Sequence, residues 1–107
     1  MVGPCGAGKS TLVAALRERG IRAREVAQEH SYVPAMWQRI TDPDVLIYLE
    51  VSQATAERRQ GRSLPPGEWQ RLTERLAHAR AHADLLVDTD RLTPEQVLAQ
   101  VLDFLAR

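Results

Sequence analysis

The amino-acid sequence predicts an α/β fold, in which a parallel sheet of three to four strands is covered by helices on both faces. Short apolar segments alternate along the chain with segments of helical periodicity, as repeated strand–helix units require. The segment 45–51 is almost continuously apolar, which is typical of a strand buried on both faces. A glycine-rich run over 3–10 leads directly into the first helical segment. For 107 residues we expect a single domain, 1–107.

The first helix is predicted over 9–19. Leu12 and Leu16 fall on one face of this segment, and Gly20 stands where a left-handed C-terminal cap belongs. Inward and outward residues then alternate over 21–27, which predicts a short strand.

The middle of the chain predicts a helix, a strand and a second helix. Pro34 can open a short helix over 34–40, because proline is favoured in the first helical turn. The strand 45–51 follows, and Ser52 is a suitable N-cap for a helix that runs to about Gln60.

The last third predicts a helix, a strand and a closing helix. Apolar residues recur at helical spacing over 68–83, and 85–88 is a short apolar strand. Thr93, Pro94 and Gln96 mark a helix start, since they supply an N-cap, a first-turn proline and the third residue of a capping box.

The run 3–10, Gly-Pro-Cys-Gly-Ala-Gly-Lys-Ser, fits the phosphate-binding pattern G-x-x-x-x-G-K-[ST]. Lys9 is the only lysine among 14 basic residues, and its thin stem can pass a tight glycine loop where the fork of arginine cannot. We expect Lys9 to neutralise the β- and γ-oxygens of a nucleoside triphosphate and the Ser10 hydroxyl to ligate Mg²⁺. The residues predicted to bind the triphosphate are Gly3, Gly6, Ala7, Gly8, Lys9, Ser10 and Thr11.

A phosphate-binding loop normally follows a central buried strand, which needs about five residues. Only Met1 and Val2 precede Gly3. Removing a central strand would leave unpaired backbone groups, each costing about 1–3 kcal/mol if buried. The expectation is therefore that the true start lies upstream and Met1 is an interior strand residue; the alternative is that a partner chain or a shifted strand fills the gap.

A magnesium site also needs an acidic partner at the carboxyl end of a neighbouring strand. Glu29 follows the segment after the first helix, whereas Glu50 and Asp88 lie in or at the end of later strands. We favour Glu29, because a right-handed crossover directs it into the crevice above the sheet. There it could hold magnesium through water or act as a base toward an acceptor hydroxyl. His30 could contact substrate or phosphate, and the simpler interpretation of both is a pair of surface loop residues.

An arginine cluster lies further along the chain, at Arg58, Arg59 and Arg62. Arg58 and Arg62 are four residues apart and share a helix face, so they could close over a triphosphate from a lid over 57–67 and stabilise transition-state charge. The competing interpretation is a solvated basic face.

Composition limits the partners and the compartment. Formal net charge is zero, which argues against nucleic acid or an acidic membrane held by bulk electrostatics. No apolar run approaches the roughly 18 residues of a membrane span, and no signal peptide precedes the loop. The single cysteine, Cys5, cannot form an intrachain disulfide, so we expect a cytoplasmic protein.

The loop, the apolar strand, the arginine cluster and the final Asp88-Thr89-Asp90 occur in an order that resembles the small P-loop kinases, such as shikimate, gluconate and adenylate kinase. The resemblance implies a P-loop NTPase fold and ATP with Mg²⁺ as cofactors. It implies that the triphosphate-binding residues named above hold the ATP phosphates, that Arg58 or Arg62 serves in the lid, and that 90–92 flanks adenine. The segment 21–44 is short for an acceptor-binding region, which indicates a small acceptor or none.

The leading functional prediction is an ATP-dependent kinase that transfers the γ-phosphoryl group to a small acceptor. The residues expected around the acceptor are Gln28, Glu29, His30, Tyr32 and Trp37. The second hypothesis is a regulatory nucleotide-binding module or slow ATPase without an acceptor. A GTPase is disfavoured, because the guanine-reading N-K-x-D motif needs asparagine and the chain has none. A structural protein with a vestigial loop is the remaining alternative.

Overall fold

The structure is a computed structural model that describes residues 1–36, 38 and 44–107. In these ranges the chain is an α/β protein with a two-stranded parallel sheet and four α-helices longer than one turn. The elements in chain order are α1 (Lys9–Glu18), a 3₁₀ turn (Gln28–His30), β1 (Ile47–Glu50), α2 (Gln53–Gln60), α3 (Glu68–His82), β2 (Leu85–Asp88) and α4 (Pro94–Leu105).

The two strands pair in parallel from Ile47 opposite Leu85 to Glu50 opposite Asp88. β1 begins two residues later than the predicted strand 45–51. The reason is local: the Leu46 amide donates to the Asp84 side chain at 2.7 Å instead of joining the ladder.

Met1 and Val2 lie beside β1, on the side away from β2. The Val2 amide donates to the Ile47 carbonyl at 3.0 Å, and the Leu49 amide donates to the Val2 carbonyl at 2.8 Å, which makes an isolated parallel bridge. On the other side of this short segment, the Val26 amide donates to the Met1 carbonyl at 3.0 Å. The backbone order across the molecule is therefore 24–26, 1–2, β1 and β2.

The strand predicted over 21–27 is wrong, because this segment forms no strand. Two hydrogen bonds join this segment to Met1. The Met1 amino group donates to the Arg24 carbonyl at 2.8 Å, and the Val26 amide donates to the Met1 carbonyl. Two hydrogen bonds to a single residue do not make a ladder. The expected sheet of three to four strands is found as two strands in the described ranges.

The predicted helix caps are confirmed. Gly20 follows α1 with a left-handed φ of 75°, the Ser52 side chain accepts from the Thr55 amide, and Thr93 with Gln96 forms the predicted capping box. These features depend on neighbours within one turn, so they follow from the local sequence. The helix predicted over 34–40 lies largely outside the described residues.

Alternate residues of β1 point into two different buried clusters. Ile47 and Leu49 pack with the apolar faces of α1 and α4, whereas Tyr48 packs with Leu76 and Ala79 of α3. The sheet thus has helices on both faces, and the carboxyl end of β1 lies beside the glycine-rich loop.

Candidate functional site

The loop over 3–10 depends on glycine at two places. A side chain on Gly3 would bring its Cβ to 2.3 Å from the Leu49 carbonyl oxygen, so the loop lies against β1 at a distance that only glycine allows. Gly8 has a φ of 95° and is the N-cap of α1. This left-handed conformation is open to glycine at little cost, and it turns the chain abruptly into the helix.

The amino end of α1 carries unpaired donors. Gly8 has no side chain, and no other side chain caps this helix within the described residues. The first amides of an α-helix have no intrahelical acceptor, and the helix dipole adds partial positive charge there. The end of α1 is therefore suited to an anion.

Lys9 lies back across the loop. Its Nζ donates to the Gly3 carbonyl at 2.6 Å and forms an ion pair with Oε2 of Glu29. The side chain of Lys9 is 10% exposed and that of Glu29 is 1% exposed. The predicted phosphate-binding lysine and the predicted acidic residue are therefore partners at the centre of the site.

Ser10 has a different acidic partner, which the sequence interpretation missed. Its Oγ donates to Oε2 of Glu25 at 2.6 Å. Glu25 lies in the segment after α1. The alternation predicted over 21–27 places it on the same face as Ala23. A carboxylate on an otherwise apolar face was the signal that could have identified it.

Two cavities open on either side of the loop and share Gly6, Gly8 and Thr11. The first, of about 450 Å³, is walled mainly by aliphatic side chains of α1 and α4 and by Thr89 and Leu92. The second, of about 350 Å³, has charged and polar walls. Its polar lining residues include Cys5, Lys9, Ser10, Glu25, Glu29 and His30.

Arg59 joins the loop to the end of β2. Its guanidinium donates to the Gly6 carbonyl at 3.0 Å, to Thr89 Oγ1 at 3.1 Å and to the Thr89 carbonyl at 2.6 Å. Arg58 instead donates to Thr55 Oγ1 at 3.4 Å, within its own helix. Arg59 is thus the loop-contacting member of the arginine cluster, while the roles expected of Arg58 and Arg62 stay predictions.

Cys5, Glu29 and His30 converge beside Lys9. Cys5 Sγ is 3.4 Å from His30 Nε2 and 3.8 Å from Glu29 Oε2. Burial raises the pKa of the Cys5 thiol, and the charge of Glu29 raises it further, whereas the charge of Lys9 opposes this shift. The thiol is therefore less acidic here than an ordinary cysteine.

The other residues predicted around the acceptor are dispersed. Gln28 is fully buried and donates to the carbonyls of Val33, at 2.8 Å, and Arg75, at 3.3 Å, so its amide holds the fold together. Tyr32 is 84% exposed, with the Arg75 guanidinium 4.4 Å from its ring centre. Trp37 lies outside the described residues. Of the predicted acceptor cluster, Glu29 and His30 line the polar cavity.

The alternative acidic residues have other partners. Glu50 forms an ion pair with Arg80 at 3.0 Å, and both side chains are well exposed. Asp88 accepts from the Asp90 amide at 3.1 Å, in the turn after β2. Among the three carboxylates weighed from the sequence, Glu29 is the one that lines the polar cavity.

Comparison with models of known protein families and with curated proteins gives no match for this chain. Among the described residues, no helix is both long and apolar enough to cross a bilayer.

Proposed function

We propose that the chain binds ATP with Mg²⁺ and transfers the γ-phosphoryl group to a small acceptor. The observation that supports this most directly is the loop itself. Gly3 lies tight against β1, and the loop ends at the uncapped amino end of α1 with the Lys9 side chain hydrogen-bonded to the Gly3 carbonyl. Backbone donors, a helix dipole and one compact cation converge there, which is the chemistry that a triphosphate requires.

The two cavities fit the two ends of ATP. The aliphatic cavity between α1 and α4 suits the base and sugar, and its wall includes Leu92 of the expected adenine-flanking segment 90–92. The polar cavity on the opposite side of the loop suits the γ-phosphate and the acceptor. The triphosphate would then cross Gly6 and Gly8, which both cavities share.

Ser10 and Glu25 are suited to hold the magnesium ion. Both offer hard oxygen ligands, which Mg²⁺ prefers, and their oxygens are 2.6 Å apart. Glu25 thereby joins Ser10 and Glu29 among the candidate magnesium ligands, with Glu29 acting directly or through water.

Glu29 is suited to act as the base. When Lys9 turns from Glu29 toward phosphate oxygens, a carboxylate that is 1% exposed loses its paired cation. The Oε2 atom of Glu29 would then be free to accept a hydrogen bond from an acceptor hydroxyl. Binding of the nucleotide would thus prepare Glu29 to accept the proton of an acceptor hydroxyl, while Arg58 and Arg62 of the lid over 57–67 would stabilise the transferred charge.

A slow ATPase or regulatory nucleotide-binding module is the second candidate, because the polar cavity leaves little space beside the phosphate. That cavity has about 350 Å³, part of which adjoins Lys9 and Ser10, where the phosphate itself would lie. The remaining space would take a small acceptor or a water molecule.

ATP turnover measured across a panel of small hydroxyl and phosphate acceptors separates the two candidates. The kinase predicts ADP formation that rises with one acceptor class and yields a phosphorylated product in equal amount. Hydrolysis that no acceptor stimulates would support the ATPase and contradict the kinase.

A further inference from the structure

The side chains of Cys5, Glu29 and His30 meet at one wall of the polar cavity. Each offers one ligand atom, and these atoms lie within 4.8 Å of one another. Cys5 is partly exposed and His30 is exposed, so an ion could reach the cluster from solvent. Among the described residues, this is the group of His, Cys, Asp and Glu side chains whose geometry could hold a metal ion.

The spacing of these atoms already approaches that of a zinc site. Tetrahedral bonds of about 2.3 Å to sulfur and 2.0–2.2 Å to nitrogen or oxygen place neighbouring ligand atoms about 3.6 Å apart. Cys5 Sγ is 3.4 Å from His30 Nε2 and 3.8 Å from Glu29 Oε2. Little movement is therefore needed around the sulfur to form such a site.

The donor set distinguishes this site from the magnesium site. Thiolate and imidazole favour Zn²⁺ and similar borderline metals, whereas Mg²⁺ prefers oxygen ligands alone. Three protein ligands with an open fourth position is a recurring arrangement for zinc, with water or substrate as the fourth ligand.

A second observation also points to a missing cation. The Glu29 side chain is 1% exposed, and its Oε1 is buried with no hydrogen-bond partner. Lys9 pairs with Oε2, the oxygen that lies 3.8 Å from Cys5 Sγ, and leaves Oε1 unsatisfied, so a metal at the cluster would share Oε2 with Lys9 or take Oε1. A buried acceptor without a partner is costly and calls for an explanation, which a cation bound at the carboxylate would supply.

We propose that Cys5, Glu29 and His30 form a three-ligand site for Zn²⁺, with its fourth position open to water. On binding, the Cys5 thiol loses its proton to solvent as the metal–sulfur bond forms, neutral His30 binds through the Nε2 lone pair, and Glu29 binds as the carboxylate. No redox change is involved. This proposal goes beyond nucleotide binding and does not depend on it, and because Glu29 is shared, a bound zinc ion would compete with the roles proposed for Glu29 toward magnesium and the acceptor.

Cobalt(II) titration of the reduced, metal-free full chain without nucleotide tests the proposal. Because Cys5 is the only cysteine, a thiolate-to-cobalt charge-transfer band can come from no other residue of the chain. The expected result is one equivalent of cobalt per chain with this band, which zinc then removes by displacement. Absence of the band in the wild-type chain overturns the proposal, and so does a stoichiometry of one cobalt per two chains.

The other two ligands can be identified from the zinc affinities of variants, measured by competition with a chromophoric chelator. His30→Gln and Glu29→Gln should each weaken zinc binding by about tenfold or more, since even outer-shell changes cost at least that much. His82→Gln is the matched control, because His82 stacks on His78 with ring centres 4.2 Å apart and offers a rival helical metal pair. Unchanged affinity in His30→Gln, or a loss confined to His82→Gln, contradicts the proposed site.

Discussion

Lys9 and Glu29 carry the central interaction at the scale of single residues. Both are almost fully buried, and their ion pair holds the lysine over the loop. Burying such a pair costs several kcal/mol of desolvation per ion, which attraction repays only with good geometry and additional hydrogen bonds. One oxygen of Glu29 lacks such a bond. The pair is therefore better explained by the phosphate-binding role that we propose for Lys9 than by the stability it adds.

Glu29→Gln separates the roles of the two residues. The amide cannot accept the acceptor proton, so turnover should fall by about 10²–10⁴-fold. ATP affinity should stay the same or rise, because Lys9 loses the carboxylate that competes with phosphate. Glu25→Gln is the matched control, and its defect should appear chiefly as a weaker dependence of turnover on Mg²⁺ concentration. Turnover of Glu29→Gln equal to wild type would remove Glu29 from the chemistry.

At the scale of elements, α2 connects the loop to the end of the sheet. Arg59 on α2 contacts both Gly6 and Thr89, whereas its neighbour Arg58 contacts Thr55 on the same helix. Adjacent helix positions point about 100° apart, so one arginine faces the loop and the next does not. The spacing of the arginines in the sequence does not show which of them faces the loop, because it does not fix how α2 is rotated about its own axis.

The neighbouring arginines provide a matched pair of variants. Arg59→Ala leaves the Thr89 and Gly6 carbonyls without a charged donor and should lower the free energy of unfolding by about 1–3 kcal/mol. Arg58→Ala should leave stability within about 0.5 kcal/mol of wild type, as surface changes usually do, and reduce turnover alone if Arg58 serves in the lid. Urea unfolding of both variants checks this. Equal losses of stability would mean that the contacts of Arg59 with the loop do not matter.

Asp90 ties the two strands together beyond their paired residues. The Ser52 amide donates to Asp90 Oδ1 at 2.8 Å, and this bond lowers the pKa of the Asp90 carboxyl. A carboxyl with a lowered folded-state pKa stabilises the fold above its ordinary pKa of about 3.9, and that stability is lost as the pH falls through the lowered value. The stability difference between wild type and Asp90→Ala should therefore be largest at neutral pH and shrink below pH of about 4. A difference independent of pH in urea unfolding contradicts this assignment.

At the scale of the whole molecule, the sequence predicts features that depend on neighbouring residues better than contacts between residues far apart in the chain. The caps at Ser52 and Thr93 were predictable, because each depends on residues within one helical turn. The segment 21–27 was predicted as a strand and is not one, since a ladder depends on a neighbour distant in sequence. In the structure this neighbour is Met1, which bonds to Arg24 and Val26.

The candidate site likewise contains one part that the sequence could indicate and contacts that it could not. The loop over 3–10 could be singled out as a candidate because its glycines, lysine and serine lie within eight consecutive residues, at the spacing of the phosphate-binding pattern. The pairings of Lys9 with Glu29 and Ser10 with Glu25 could not be assigned from the sequence, because they depend on how the segment after α1 folds back against the loop. Cys5 and His30 come together for the same reason.

Nucleotide titration of the wild-type chain against Lys9→Ala, by calorimetry with Mg·ATP, tests the central claim that this loop holds a triphosphate. Removing a charged donor to phosphate should cost about 1.5–3 kcal/mol, which is a loss of roughly 10- to 150-fold in affinity. Arg71→Ala is the matched control, because its guanidinium pairs with Glu68 on the surface of α3, and its affinity should equal wild type. Equal affinities of wild type and Lys9→Ala would contradict the phosphate-binding role of the loop.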